Sequence, residues 1–144
     1  MKKTTVSLLT LALLAILLPI LLISCTDVRP EGDWETATYL NDTTLGTGAK
    51  TVTVTVSADG QSLVFTLRTD KENLEDALTE HRLIDGEQGA FGLYIKMVNG
   101  IVADYDKDGY YWSITKAGAE TSGAKSTPVS DGDAFEIAKV KSPW

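Results

Sequence analysis

Asp104, Asp106 and Asp108 alternate along the chain and are followed by Gly109. Hard oxygen donors at that spacing, with a glycine for the sharp turn, match the first half of a calcium loop. The second half does not follow. The position that should carry a bidentate glutamate is Thr115, and an EF-hand needs flanking helices where strands are expected here. The alternative is a solvated turn with Asp108-Gly109 as the bend, and no resident metal is expected. The run Tyr110-Tyr111-Trp112 comes next. On a strand Tyr111 points away from Tyr110 and Trp112. One face then enters a core while the other offers flat aromatic surface to a ligand or partner. Tyr94 and Tyr105 would extend such a surface, so Tyr94, Tyr105, Tyr111 and Trp112 are the candidate ligand-binding residues.

Other reactive groups are scarce. Cys25 is the only cysteine and His81 the only histidine. A nucleophilic triad needs a histidine held by a carboxylate beside its nucleophile, and zinc needs more His and Cys than this chain has. No glycine-rich phosphate loop is present. A non-enzymatic role is therefore expected.

Cys25 has its own chemistry. Met1-Lys2-Lys3 precedes an uncharged, mostly apolar stretch from Thr4 to Ile23, which ends in Leu22-Ile23-Ser24-Cys25. A basic start, an apolar run and a small residue at the junction describe an export signal, and the tetrapeptide resembles the bacterial lipobox. Residues 1–24 are read as a lipoprotein signal peptide, with Cys25 lipidated on the extracytoplasmic face of the cell membrane. The alternative is an uncleaved spanning helix, which Pro19 makes less comfortable. With one thiol there is no internal disulfide framework.

Of the 13 basic residues the leader holds Lys2 and Lys3, so the mature balance is 11 against 20 acids, a formal charge of −9. Nucleic acid would repel such a chain and is excluded as a partner. About 120 mature residues suffice for one domain with its own core.

Residues 25–49 read as the lipidated terminus and a flexible tether, rich in Gly, Thr and Asp, with Trp34 and Tyr39-Leu40 as the residues able to pack on a domain. From Lys50 the pattern changes, and residues 50–141 form the domain. Val52, Val54 and Val56 alternate with threonines, Asp59-Gly60 is a tight turn, and Leu63, Phe65 and Leu67 alternate again, which predicts a hairpin. Thr69 and Glu72 have capping-box spacing, with Asp70 as a rival cap, before a helix carrying Leu74, Ala77, Leu78 and His81. Its early acids (Asp70, Glu72, Glu75, Asp76) and late His81-Arg82 suit the helix dipole. Gly86 closes that segment. Further strands are expected over Phe91–Val98, before the Asn99-Gly100 turn, and over Tyr110–Thr115 and Ala134–Val140, the last with a bulge or a two-sided edge. Hairpin, helix and three strands predict an α+β domain, a β-grasp-like mixed sheet with one helix packed on it.

Gly92-Leu93-Tyr94-Ile95, Val98-Asn99-Gly100, Ala103 to Gly109, Tyr111-Trp112 and Asp131-Gly132-Asp133, with Thr69-Asp70 and Asp76-Ala77-Leu78 earlier, follow one another in order. In this combination the chain resembles bacterial transcobalamin-like C-terminal domains, over roughly Lys50 to Val140. The resemblance implies a β-grasp-like domain, export as a lipoprotein, and cobalamin or a related corrinoid as ligand. In animal cobalamin carriers the related domain covers one side of the corrinoid and a helical barrel covers the other, so a second binding domain or a membrane transporter is an implied partner. Members often carry an aromatic pair followed by Asn-Gly. Here Ser113 to Gly118 follow instead, which implies a more polar surface. The expected function is a lipid-anchored ligand-binding domain, with a protein- or glycan-interaction module of the cell envelope as the alternative.

Overall fold

In a computed structural model of the chain, residues 30–144 are described. The leader and Cys25 lie outside the described residues. Nine strands and two helices follow a 3-10 helix at Gly32–Thr36. The strands are β1 (Thr43–Gly46), β2 (Lys50–Ala58), β3 (Gln61–Thr69), β4 (Ile84–Gly89), β5 (Gly92–Val98), β6 (Ile101–Val102), β7 (Tyr110–Lys116), β8 (Ala119–Glu120) and β9 (Ala134–Lys141). The helices are α1 (Leu74–Glu80) and α2 (Tyr105–Asp108).

The first hairpin forms as its alternation dictates. Val52, Val54 and Val56 face Leu67, Phe65 and Leu63 across the β2–β3 ladder, and all six side chains are buried. Each contributes roughly 1.5–3 kcal/mol by leaving water. Asp59 and Gly60 take positive φ angles of 47° and 72° and close the turn. β2 then pairs in parallel with the last strand, β9, which pairs antiparallel with β7. The six-stranded sheet has the order β1-β3-β2-β9-β7-β8, and β4-β5-β6 form a smaller antiparallel sheet. First hairpin, helix, and a last strand parallel to the first is β-grasp order. The α+β expectation holds, and α1 buries Leu74, Ala77 and Leu78.

Several local expectations are corrected. The helix cap is Asn73, whose side chain accepts from Asp76 N. Thr69 is the last residue of β3, and its hydroxyl donates to Glu80 Oε2 at 3.0 Å. Asp70 accepts from Ala49 N. The helix ends with Arg82 at φ 55°, Leu83 N donating to Leu78 O and Arg82 N to Thr79 O. That is the two-bond termination usually built on glycine. Gly86 lies inside β4, where a register shift at Asp85/Gly86 marks the bulge. β9 itself is regular and internal, because it pairs on both sides.

The segment expected to be a tether is part of the domain from Pro30 onward. Trp34 is buried and donates its indole N–H to Ala58 O at 2.9 Å. β1 lies parallel to β3. Lys139 Nζ meets Asp33 Oδ1 at 2.8 Å and lies 5.0 Å from the Tyr110 ring centre. The wholly buried Asn99, in the β5–β6 turn, donates to Tyr39 O at 3.0 Å and accepts from Tyr39 N at 2.9 Å. These contacts fasten the segment to both sheets.

Candidate functional site

β5 and β7 face each other across a shallow cleft where the two sheets meet. Trp112 and Ile114 project from the inner face of β7 and are buried. Thr121 N donates to Ile114 O at 2.9 Å, one step beyond the Thr115–Glu120 pair of the β7–β8 ladder. The Thr121 side chain therefore stands on the face of Ile114 and Trp112. Leu93, Tyr94 and Ile95 of β5 line the opposite wall, and Gly123-Ala124 close one end. The cleft has two hollows of about 180 and 160 Å³, and both are lined by Tyr111, Trp112, Ile114 and Gly123. Sites that enclose a drug-sized molecule usually hold roughly 300–1,000 Å³, so each hollow takes only part of a ligand.

The candidate residues separate into two places. Tyr94, Tyr111 and Trp112 meet at this cleft. Trp112 is 8% exposed and Tyr94 49% exposed, so one is wall and the other rim. Tyr105 does not line the cleft. It lies on α2, 42% exposed, where its hydroxyl accepts from Ser142 Oγ at 3.5 Å.

The acidic segment around Tyr105 caps backbone. Asp104 accepts from Asp106 N, while Asp108 accepts from Asp104 N through one oxygen and from Tyr110 N through the other. Burial pushes the Asp108 carboxyl up, but those backbone donors outweigh it and hold it below the usual value. The Asp104 and Asp108 carboxylates thus serve a helical turn, and among the described residues no cluster of three His, Cys, Asp or Glu side chains could hold a metal. His81 lies away from the cleft, beside Glu80 and under Gly46.

The residues that position the walls were missed in the sequence. Glu75 is 8% exposed, and its Oε2 accepts from Leu93 N at 2.8 Å, pinning the start of β5 to α1. At the next position, Asp76 binds Lys125 Nζ at 3.0 Å. The hydrogen bond from Lys125, with a second from Asn73, holds its carboxyl below the ordinary value, and Asp76 in turn raises Lys125. This pair anchors the loop that carries Gly123-Ala124. On the rim, Lys96 Nζ sits 5.8 Å from the Tyr94 ring centre and bonds Glu87 at 2.7 Å, which raises its pKa. Trp112 Nε1 and Thr121 Oγ1 are buried without a hydrogen-bond partner. Thr121 sits in a run of small polar residues, and nothing in its spacing announced it.

No family model and no curated protein matches the chain. Among solved structures, a Ruminococcus gnavus ATCC 29149 protein, described as a "putative metal binding protein", is 42% identical with a TM-score of 0.61. The match covers 65% of this chain and 98% of that one. Haptocorrin in complex with Cbi is 24% identical with a TM-score of 0.48, over 64% of this chain and 25% of haptocorrin. The chain thus spans about a quarter of haptocorrin and nearly all of the Ruminococcus protein. At that identity and coverage, the chain belongs to the family of the Ruminococcus gnavus protein.

Proposed function

We propose that this domain is a non-enzymatic ligand-binding module whose β5–β7 cleft holds one side of a flat ligand. A corrinoid is the leading class. The module works on the outer face of the cell membrane, anchored through lipid on Cys25, and hands its ligand to a membrane transporter. The observation that carries the reading is the meeting of Tyr94, Tyr111 and Trp112 around one cleft between two sheets. The half-exposed Tyr94 ring on its rim suits a planar ligand. The order of motifs from Gly92 to Asp133 that resembles transcobalamin-like domains supports the corrinoid class. Hollows of about 180 and 160 Å³ cannot enclose a macrocycle of that size. The domain is therefore a half-site, completed by a second surface on the transporter or on another domain.

The test is a titration of cobinamide, and separately cobalamin, into the full-length chain in detergent, followed by calorimetry. Saturable one-to-one binding is expected. Tyr94→Ala and Tyr111→Ala should each weaken it roughly two- to tenfold, the equivalent of one aromatic contact of about 0.5–1.5 kcal/mol. No heat at high micromolar corrinoid defeats capture by this domain alone and leaves a partner-dependent half-site or an interaction module.

A separate observation favours an interaction module. Phe91 is 95% exposed at the tip of the β4–β5 hairpin, and Val102 is 55% exposed on the same small sheet. Cross-linking from position 91 to an envelope protein, abolished by Phe91→Ser, would select that reading.

A further inference from the structure

We infer that Trp112 Nε1 and Thr121 Oγ1 form a polar subsite at the inner wall of the cleft, built to take a carboxamide group of the ligand. This rests on the reading of the cleft as a ligand site and not on the ligand being a corrinoid. Trp112 is more than nine-tenths buried, and its indole N–H has no partner. The chain's other described indoles fare differently: Trp34 donates to Ala58 O, and Trp144 is exposed. A buried donor left unpaired costs roughly 1–3 kcal/mol. The Thr121 hydroxyl carries the same penalty on the same face of the β7–β8 edge. Both residues line the same hollow, and both polar atoms are closed to water in the free protein, so a ligand group that enters the wall between them supplies the missing partner.

The charges around them decide what that partner is. Glu120 is the only charged side chain lining this end of the cleft, and its carboxylate accepts from Ser113 Oγ at 3.3 Å. Among the described residues no cation lines either hollow. An anionic acceptor would meet Glu120 without compensation, so the acceptor for the indole N–H is neutral. A carbonyl supplies it. The hydroxyl can accept as well as donate. One planar carboxamide therefore satisfies both orphans, with its carbonyl on Trp112 and its amino group on Thr121.

The indole N–H resonance of Trp112 in the full-length, detergent-solubilised chain reads this directly, with Trp34→Phe and Trp144→Phe used to assign the peaks. Propionamide should move that peak downfield and saturably, with a midpoint on the order of 10 mM. Propionate and propan-1-ol at equal concentration should not. Thr121→Val should weaken the propionamide response at least threefold. It should leave the unfolding midpoint of the free protein unchanged or raised, because an unpaired buried hydroxyl is removed. A peak that ignores propionamide, or moves equally with propionate or propanol, overturns the assignment. So does a Thr121→Val protein that is less stable yet keeps its propionamide response. Cobinamide binding that leaves the Trp112 peak in place would sink this subsite while sparing the corrinoid reading. A propionamide response without cobinamide binding would do the reverse.

Discussion

Replacing Glu75 tests whether the cleft is held open by one buried carboxylate. Its Oε2 accepts from Leu93 N at 2.8 Å with the residue 8% exposed. A hydrogen bond to a charged acceptor in such a place contributes about 1.5–3 kcal/mol. Glu75→Leu removes the acceptor and leaves the Leu93 N–H unpaired, so about 2 kcal/mol should be lost. With a urea slope of roughly 1–3 kcal/mol per molar, the midpoint falls by about 1 M. Glu75→Gln keeps an acceptor oxygen without the charge and should lose at most about 1 kcal/mol. Amide exchange at Leu93 gives the local reading. Opening becomes easier by the same free energy, so exchange should accelerate roughly ten- to hundredfold in the leucine variant. Cobinamide affinity should fall in that variant and hold in the glutamine one. The competing physics is the cost of burying a carboxylate, which well-packed leucine would relieve. A Glu75→Leu protein that unfolds at the same or higher urea, with Leu93 exchange unchanged, would refute the argument.

Asn99→Ala removes two side-chain bonds to Tyr39 and places alanine at φ 52°. A loss of about 3 kcal/mol is expected; Asn99→Gly should lose about 1 kcal/mol less, and equal urea midpoints for the two would remove the backbone contribution. Arg82→Gly relieves the left-handed position that ends α1 and should gain about 0.5–1 kcal/mol, read as a higher thermal midpoint, whereas Arg82→Val should lower it. Asp76 and Asp133 are held below the ordinary carboxylate value of 3.8, Asp133 chiefly by its bond from Lys116. A depressed folded pKa contributes stability that is present above the unfolded value and lost as the pH falls through the folded one. The urea midpoint should therefore hold steady from neutral pH to about 5 and drop below about 4. Asp133→Asn should shallow that drop, and an identical acid limb in the variant would count against Asp133.

The strongest periodic signals were legible. The Val-Thr alternation of β2, the Asp59-Gly60 turn and the Leu63-Phe65-Leu67 face each bury what their pattern said, because local preference and tertiary pairing agree there. β4 was hidden, since Ile84 to Gly89 reads Asp-Gly-Glu-Gln-Gly after its first residue and becomes a strand only through β5. β1 is likewise made by its partner: Thr43 to Gly46 has no alternation of its own and is held by a parallel neighbour twenty-two residues on. Thr69 has capping-box spacing, yet its hydroxyl donates to Glu80 and accepts from Lys71 N, and the helix begins only after Asn73. Tyr94, Tyr111 and Trp112 line one cleft, an arrangement that aromatic type alone does not specify. Which of four aromatics would meet depended on the β5–β7 approach, and that excluded Tyr105. Glu75 was masked by its neighbours, because acids at a helix start already have a sufficient explanation in the dipole.

The parallel seam between β2 and β9 also fixes a vertical coordinate. Ser57 pairs with Ala138, and Ala138 with Ser113, so Ala58, Lys139 and Trp112 share the next row. That row is the rim where the chain enters, for Trp34 bonds Ala58 and Pro30 lies beside Gln61. Five residue steps separate Pro30 from Cys25, a leash of at most about 18 Å. If Cys25 is acylated as proposed, Pro30 and the rim beside it stay within about 18 Å of the lipid. A partner would then have to meet that rim close to the lipid surface.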